Sequence, residues 1–385
     1  MILNSADARL RPPAMSDARF LRSGGAFRVL CARCGCIGIL YSPEDTLRRY
    51  FESEYDVSPA IQNNLVVMGD RQVVPKRSRV YKTLFEQLAA LPQQGVNCLE
   101  IACGEGDLIR SIKNAYPGWT CVGVDPSAQL DRAATDGLTF LRCFFHDVEL
   151  PEQHFDVVIA HGFLNRSATL PELARINLVA KPGALISLEL LELEDSHFVP
   201  HIWDHPFMYL RASLRDYLSH CGMTVAATVD CGSAQHYICR KTGPAAAPAA
   251  FQAAPSAVAA TLARFQAHER WWLDVVLNVR EHCAGNKGPI YLFGAGIYNV
   301  VVAHLLDLDF VAAIIDEQKA GETRWGLPVI GIEQAAEQGG SAFVCARPSY
   351  LPVMLQKLAS ARIPAIVLNP QAAVEPRAAR RNRSG

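Results

Sequence analysis

Between residues 97 and 192 the chain alternates apolar runs with segments of helical pattern. The runs are continuous rather than alternating, which indicates strands that are buried on both faces. They are NCLEIAC, TCVGVD, LTFLRCFF, FDVVIAH and GALISLELLE, the last after the turn KPG. Helices such as DLIRSIKNAYP lie between them. The fold class that we predict is α/β, with a doubly wound Rossmann-like core whose ligand lies beyond the carboxyl ends of the strands.

The first strand leads into its helix through a turn that combines glycines with a carboxylate. Glu100 lies four residues before Gly104, and Gly106 comes directly before the helix. Glycines let a ligand approach the backbone, and the helix start presents free N–H groups. A carboxylate there repels a pyrophosphate and suits a cation such as S-adenosylmethionine, which carries a sulfonium and an ammonium group. Asp125 ends the next strand, 21 residues after Gly104, where it can accept both ribose hydroxyls.

These segments resemble the motifs of the class I S-adenosylmethionine-dependent methyltransferases. The resemblance rests on Glu100-x-x-x-Gly104-x-Gly106, on GVDPS around Asp125, and on the fourth and fifth strands in order. Glu100 stands where Asp is more frequent, and Ala102 stands where Gly is usual. The resemblance implies a methyltransferase that binds its cofactor through Glu100, Gly104, Gly106 and Asp125; the alternative is a doubly wound domain that has lost its ligand.

The same resemblance implies an adenine pocket after the third strand, in CFFHDV. Asp147 stands where many relatives place an acid against the adenine amino group. Phe144 or Phe145 would lie against the face of the ring. The alternative for each Phe is a place in the hydrophobic core.

Three cysteines precede the core, in FRVLCARCGCIGILYS. Cys31 and Cys34 have the spacing of zinc ligands, with Cys36 beside them, and structural zinc takes four ligands. The segment resembles one Cys-x-x-Cys knuckle of the three-domain sugar C-methyltransferases, whose other pair has no counterpart in residues 1–30. We therefore expect an incomplete zinc set and less than one zinc per chain.

The resemblance to the sugar C-methyltransferases extends to the domain organisation. It implies an N-terminal segment with a degenerate zinc knuckle over residues 1–75 and a methyltransferase core over 76–242. Residues 243–260, rich in Ala and Pro, are predicted to be a linker or a loosely held start to a helix. Residues 261–385, with PIYLFGAGIYNVVVAHLL and a strand ending at Asp316, are predicted to form a second Rossmann-like domain.

The resemblance places the catalytic region in two loops. In the sugar C-methyltransferases a Tyr-Asp-Glu-His-Phe segment supplies the base that forms an enolate. The matching stretch HIWDHPF has Trp203, Asp204, His205 and Pro206 at the first four positions. The family's Asn and His near the fourth strand correspond to His161 and Asn165. His161 and His205 are therefore the candidate bases, unless His197, His201 and His205 are surface residues of a loop.

Three hypotheses about the function remain open. The first is methylation of a small molecule in natural-product or deoxysugar-type biosynthesis, which we favour with an already nucleophilic acceptor. The second is sugar C-methylation with a relocated His base. The third is a cofactor-binding scaffold or an NAD-dependent oxidoreductase using FGAG, although Asn299 replaces the third glycine of that fingerprint.

The amino-acid composition limits the kinds of partner and the cellular location that we expect for the protein. A formal net charge of −1 gives no broad basic field, so we expect a small-molecule substrate and no nucleic acid. There is no uninterrupted apolar run of about 18 residues, so we expect no membrane association. Twelve cysteines without an extracellular signature are typical of reduced thiols, and we expect a cytoplasmic protein.

Overall fold

The computed structural model describes residues 14–15, 21–22, 28–39, 48–54, 65–67, 73–132, 137–194, 197–201, 205–231, 234–285, 288–306, 308–347 and 350–369. These residues form two compact units, one up to Gln266 and the other from Ala267 onwards. Within the described ranges no helix combines the length and the apolarity needed to cross a membrane.

A sheet of seven strands forms the centre of the first unit, and three antiparallel hairpins precede it in the chain. The hairpin strands are β1 (Ala14–Met15), β2 (Leu21–Arg22), β3 (Arg28–Leu30), β4 (Ile37–Ile39), β5 (Leu65–Val67) and β6 (Val73–Pro75). The sheet consists of β7 (Gln94–Ile101), β8 (Gly118–Val124), β9 (Thr139–Leu141), β10 (Phe155–His161), β11 (Ala180–Leu190), β12 (Met223–Asp230) and β13 (Gln235–Lys241).

Four helices cover the two faces of this sheet. They are α1 (Lys76–Leu88), α2 (Asp107–Ala115), α3 (Thr169–Val179) and α4 (Arg211–His220). Successive strand residues point to opposite faces. Cys98 and Ile159 therefore pack with α1 and α2, whereas Leu99 and Val158 pack with α3 and α4. Burial on both faces explains why the strand sequences are continuous apolar runs.

The strand order places the predicted site residues at one edge of the sheet. The order is β12-β13-β11-β10-β7-β8-β9, in which β7 to β11 run parallel and β13 is antiparallel to β11. The chain moves outward from β7 to β9 and then returns to β10 on the other side. The carboxyl ends of β7, β8 and β10, where Glu100, Asp125 and His161 lie, thus flank the switch point at which such sheets bind ligands.

The second unit has a six-stranded sheet in the order β16-β17-β15-β14-β18-β19. Its strands are β14 (Ile290–Phe293), β15 (Val311–Ile315), β16 (Thr323–Arg324), β17 (Leu327–Ile330), β18 (Ser341–Val344) and β19 (Ala365–Val367). The remaining helices are α5 (Pro255–Gly285), within which the two units divide, α6 (Ile297–Leu305), α7 (Ile332–Gln338) and α8 (Leu351–Ser360). The α/β class and the second Rossmann-like sheet are confirmed.

Several predicted element bounds were wrong. The run LTFLRCFF forms a strand only over Thr139–Leu141, because the chain then turns away from β8. The segment KPG is not a separate turn but belongs to β11, where the pairing with β10 shifts register and Gly183 takes φ +78°. In the predicted linker, Phe251 is buried against Tyr217 of the first unit. The domain boundaries themselves stay predictions.

Candidate cofactor and acceptor site

Glu100 connects the end of β7 to the start of α2. The carboxylate is only 6% exposed, and its Oε2 accepts a hydrogen bond from the Ile109 N–H at 2.9 Å. Ile109 lies in the first turn of α2, whose N–H groups have no partner within the helix. A negative charge in this place is also favoured by the helix dipole. Glu100 therefore fixes the helix start and places a carboxylate beside the glycine turn.

The two glycines of the turn serve different purposes. Gly104 has φ +56°, and a Cβ built there meets no atom within 4 Å, so the backbone borders open space. Gly106 has φ +77°, and a Cβ there would lie 2.6 Å from the ring of Phe140. Gly104 thus leaves room for a ligand against the backbone, whereas Gly106 allows the helix to pack on the sheet.

Asp125 holds the turn from the next strand. Its Oδ2 accepts the Gly104 N–H at 2.8 Å, and its Oδ1 accepts the Ser127 N–H at 2.8 Å. A carboxylate oxygen has two lone pairs, so each oxygen can still accept a hydroxyl. Beside it, the buried Ser127 Oγ has no hydrogen-bond partner among the described residues. The donors and acceptors here, with the open space at Gly104, fit the ribose of S-adenosylmethionine.

Ala102 takes a backbone conformation that favours glycine. Its φ is +58°, in the left-handed region. An L-residue with a Cβ costs roughly 1–2 kcal/mol there. The position is the one where the resembling methyltransferases usually carry Gly, so the structure gives a physical reason for that preference.

The residues predicted to form the adenine pocket differ in how deeply they are buried. Phe145 is buried and packs edge-on against Phe163, with ring centres 5.9 Å apart. Phe144 is half-buried, and the Arg48 guanidinium lies over its ring at 4.5 Å. Arg48 also donates to Asp147 Oδ2 at 2.8 Å, and this bond holds the pKa of that carboxyl below its ordinary value. Phe145 is thus a core residue, while Phe144 and Asp147 are contacted by the same arginine.

His161 begins a hydrogen-bonded chain that crosses three neighbouring strands. Its Nε2 lies 2.8 Å from Ser187 Oγ on β11, and that oxygen lies 2.8 Å from His236 Nε2 on β13. Ser187 and His236 are fully buried. Burial lowers the pKa of His236 to about 4, although the charge of Glu189 acts in the opposite direction. Sequence reasoning missed Ser187 and His236; the one available signal was a polar residue inside each apolar strand.

Asn165 joins backbone segments around the same edge. Its Nδ2 donates to the carbonyl oxygens of Leu191 at 2.9 Å and Phe207 at 3.1 Å. Its Oδ1 accepts the Leu191 N–H at 2.8 Å. The amide is 1% exposed, so it fixes the loops that follow β10 and β11.

The loop predicted to carry the second base is buried. His201 and His205 are 7% and 3% exposed, so the alternative that they are surface residues is wrong. Arg28, itself buried, donates to the carbonyl oxygens of Pro200 at 3.1 Å and His205 at 3.2 Å. Burial, together with the charge of Arg28, lowers the pKa of His201 to about 3. Trp203 and Asp204 lie outside the described residues.

The three N-terminal cysteines lie in the turn between β3 and β4. The Cys36 thiol is buried and 3.3 Å from the carbonyl oxygen of Met208, and burial raises its pKa. Cys31 is exposed and Cys34 half-buried. In the described part of the chain, no group of three or more His, Cys, Asp or Glu side chains could hold a metal ion. The number of zinc ions per chain stays a prediction.

The family comparison agrees with this geometry. Residues 99–186 match the model of a family described as a methyltransferase domain. The match begins in β7 and ends in β11, so it covers the turn, Asp125 and His161. Fold and match together identify this core as a methyltransferase domain of the class I, S-adenosylmethionine-dependent type. The match covers the core alone, and membership of the three-domain sugar C-methyltransferases stays a prediction.

The chain is similar to particular proteins over part of its length. It is 28% identical over 163 residues to the secondary metabolism regulator laeA of Coprinopsis cinerea, covering 40% of this chain and 35% of that protein. It thus spans about a third of the length of this curated relative.

Two solved structures resemble a similar share of the chain. A Haloferax volcanii complex of the Trm112 methyltransferase activator with a methyltransferase gives 19% identity and a TM-score of 0.38, over 43% of this chain and 92% of that one. Geranyl diphosphate C-methyltransferase from Streptomyces coelicolor A3(2) gives 14% identity and a TM-score of 0.39, over 43% and 79%.

Proposed function

We propose that this protein methylates a small molecule of secondary metabolism. The observation that carries the proposal is the combination, at one turn, of open space at the Gly104 backbone with the buried carboxylate of Glu100. The curated relative is described as a secondary metabolism regulator, and only that setting is carried over. The near-neutral net charge supports a small-molecule acceptor rather than nucleic acid.

Residues at the ends of β7 and β8 would hold the cofactor. Asp125 and Ser127 accept and donate hydrogen bonds to the ribose, and Glu100 places a negative charge beside the groups that carry positive charge. When bound, S-adenosylmethionine supplies a methyl group on a sulfonium centre. The protein orients the acceptor in line with that methyl group and excludes water, which is where most of the acceleration of such a transfer arises.

Residues at the end of β10 would face the acceptor. His161 lies at the same edge of the sheet as Glu100 and Asp125 and can take a proton. His205 is buried, and its backbone carbonyl oxygen accepts a hydrogen bond from Arg28. The hydrogen-bonded chain behind His161 favours an acceptor that loses a proton over one that is already nucleophilic. Sugar C-methylation through an enolate is a candidate of this kind, with His161 rather than His205 as the base.

Calorimetry with two cofactors tests this proposal. The purified chain should bind S-adenosylhomocysteine with one site per chain and should show no heat with NADH. Folded protein that takes up NADH and not S-adenosylhomocysteine would favour the oxidoreductase. Binding of S-adenosylhomocysteine without methyl transfer to any compound of a native metabolite extract, followed with labelled S-adenosylmethionine, would favour a scaffold.

A further inference from the structure

The chain of His161, Ser187 and His236 joins the acceptor edge to the interior of the sheet. His161 is part-exposed at the end of β10, whereas Ser187 and His236 have no exposed surface. Both links are 2.8 Å long. A buried hydroxyl between two imidazoles is costly unless its hydrogen bonds are made. Ser187 on β11 therefore contacts the His161 imidazole at the ligand edge, and His236 on β13 contacts Ser187 from behind.

We propose that Ser187 and His236 are positioning residues, which hold the His161 imidazole to take a proton from the methyl acceptor. The inference rests on the proposed function and deepens it. It assigns the substrate to a chemical class, namely a hydroxyl or an acidic C–H group that must lose a proton. An acceptor that is already nucleophilic, such as a thiolate, would not require this arrangement.

The proposed step balances in protons and electrons. Nε2 of His161 contacts Ser187 Oγ, and the acceptor proton passes to the other ring nitrogen, Nδ1, as its bond to the acceptor atom breaks. The electron pair of that bond attacks the methyl carbon. The carbon–sulfur bond breaks, and its electron pair stays on sulfur to give S-adenosylhomocysteine. The protonated His161 afterwards releases its proton to water.

The hydrogen bonds that join His161, Ser187 and His236 stabilise the protonated form of His161. An imidazolium carries a proton on both nitrogens, so Nε2 then donates to Ser187 Oγ. The hydroxyl proton of Ser187 turns to His236 Nε2, which must be neutral in order to accept it. His236 meets this condition because burial keeps it unprotonated near neutral pH. Hydrogen bonds to an ionised group are the stronger kind, so the chain raises the proton affinity of His161.

Some charged groups around His161 favour its protonated form, and others oppose it. Glu189 on β11 stands in register with both His161 and His236 and favours a cation. Glu100 on β7 pairs with Ile159, two residues before His161 on β10, and lies on the same face of the sheet. Arg166, whose guanidinium donates to the Gly162 carbonyl oxygen, opposes a cation. None of these charges is altered by a change at Ser187, which makes that residue the selective probe.

The test measures the pKa of His161 by NMR, with the resonance assigned by its loss in His161→Gln. We expect Ser187→Ala to lower that pKa by about one to two units, because the charge-assisted hydrogen bond is lost. His236→Phe should lower it in the same direction. Ser187→Thr keeps the hydroxyl and should keep the pKa. Ser213→Ala, at a serine of similar burial on α4, is the matched control and should leave it unchanged.

The outcomes separate this inference from the proposed function. An unchanged pKa of His161 in folded Ser187→Ala overturns the positioning role, whether or not S-adenosylhomocysteine still binds. A lowered pKa in Ser187→Ala but not in Ser187→Thr or Ser213→Ala supports it. Calorimetry of the same variants with S-adenosylhomocysteine reports on the cofactor site alone, and a wild-type protein that fails to bind contradicts the proposed function.

Discussion

Each of the two units contains a turn that is hydrogen-bonded to the aspartate at the end of the next strand. In the first, the Gly104 N–H donates to Asp125 Oδ2 at 2.8 Å; in the second, the Ala295 N–H donates to Asp316 Oδ2 at 2.9 Å. The partners are 21 residues apart in both cases. The other oxygen of each aspartate accepts the N–H two residues further along. A glycine-containing turn tied to the aspartate of the next strand is thus a property of the scaffold and does not by itself make a site.

The units differ four residues before the turn. Glu100 of the first unit has Tyr291 as its counterpart, a buried residue whose hydroxyl donates to Gln338 at 3.2 Å. The first turn of α6 is filled by Asn299, which donates to the carbonyl oxygens of Phe293 at 3.0 Å and Gly294 at 2.6 Å. The first unit therefore places a carboxylate where the second places neutral groups. This difference supports the proposal that the cofactor binds in the first unit.

The largest contrast should come from the glycine before each helix. Gly106→Ala combines a left-handed φ of +77° with a Cβ 2.6 Å from Phe140, and should destabilise the protein by about 2–4 kcal/mol. Gly296→Ala has φ −84° and no atom within 4 Å of the new Cβ, so its effect should be under about 1 kcal/mol. Urea unfolding measures both, and equal effects would mean that the two turns are packed alike.

Substituting each of the two aspartates should distinguish a role in cofactor binding from a role in holding the turn. Asp125→Ala removes the acceptor of the ribose hydroxyls and should weaken S-adenosylhomocysteine binding by about 1.5–3 kcal/mol, or roughly tenfold or more. Asp316→Ala breaks the same backbone contacts in the second unit and should leave that affinity unchanged. Calorimetry on folded proteins checks the pair. Loss of affinity in Asp316→Ala would show that the second unit takes part in binding the cofactor.

The sequence was sufficient for the parts of the site that are local in the chain. Glu100, Gly104, Gly106 and Asp125 lie in strand–turn–helix segments whose order of apolar and small residues determines their place in the sheet. Burial on both faces made the parallel strands visible as continuous runs. The same reasoning predicted a second Rossmann-like sheet from the apolar strands around FGAG.

What sequence reasoning missed depends on contacts between distant strands. The pairing of β13 with β11 brings His236 to Ser187, 49 residues away, and no local pattern predicts that register. Arg28 reaches the carbonyl oxygen of His205 across 177 residues, which buries a loop that reads as polar. In the same way, Arg48 joins Asp147 across 99 residues. Hydrogen bonds of this kind form only once the fold has brought the segments together.

Removing the charge of Glu100 should weaken cofactor binding less than removing Asp125. Glu100→Gln keeps an oxygen that can accept the Ile109 N–H, so the helix start is retained while the charge is lost. Affinity for S-adenosylhomocysteine, which carries an ammonium group, should fall by about fivefold, or about 1 kcal/mol. Adenosine lacks that group and should bind equally well to both proteins. Tyr291→Phe is the control in the second unit, and an equal loss for adenosine would show that the charge is not responsible.

The smallest effect should have opposite signs in the two units. Ala102, at φ +58°, pays roughly 1–2 kcal/mol for its left-handed backbone, whereas glycine there loses about 0.5–1 kcal/mol through the unfolded chain. Ala102→Gly should therefore stabilise the protein by about 0.5 kcal/mol.

Ala295 is the comparison in the second unit, because it is an alanine that is buried in the turn and is not among the residues with positive φ. Ala295→Gly should destabilise the protein by about 1 kcal/mol, since it loses a buried methyl group and gains chain entropy when unfolded. Urea unfolding of both variants gives the comparison. Destabilisation by Ala102→Gly would mean that the methyl group of Ala102 contributes more through packing than its backbone costs, and that the turn of the first unit tolerates alanine as readily as that of the second.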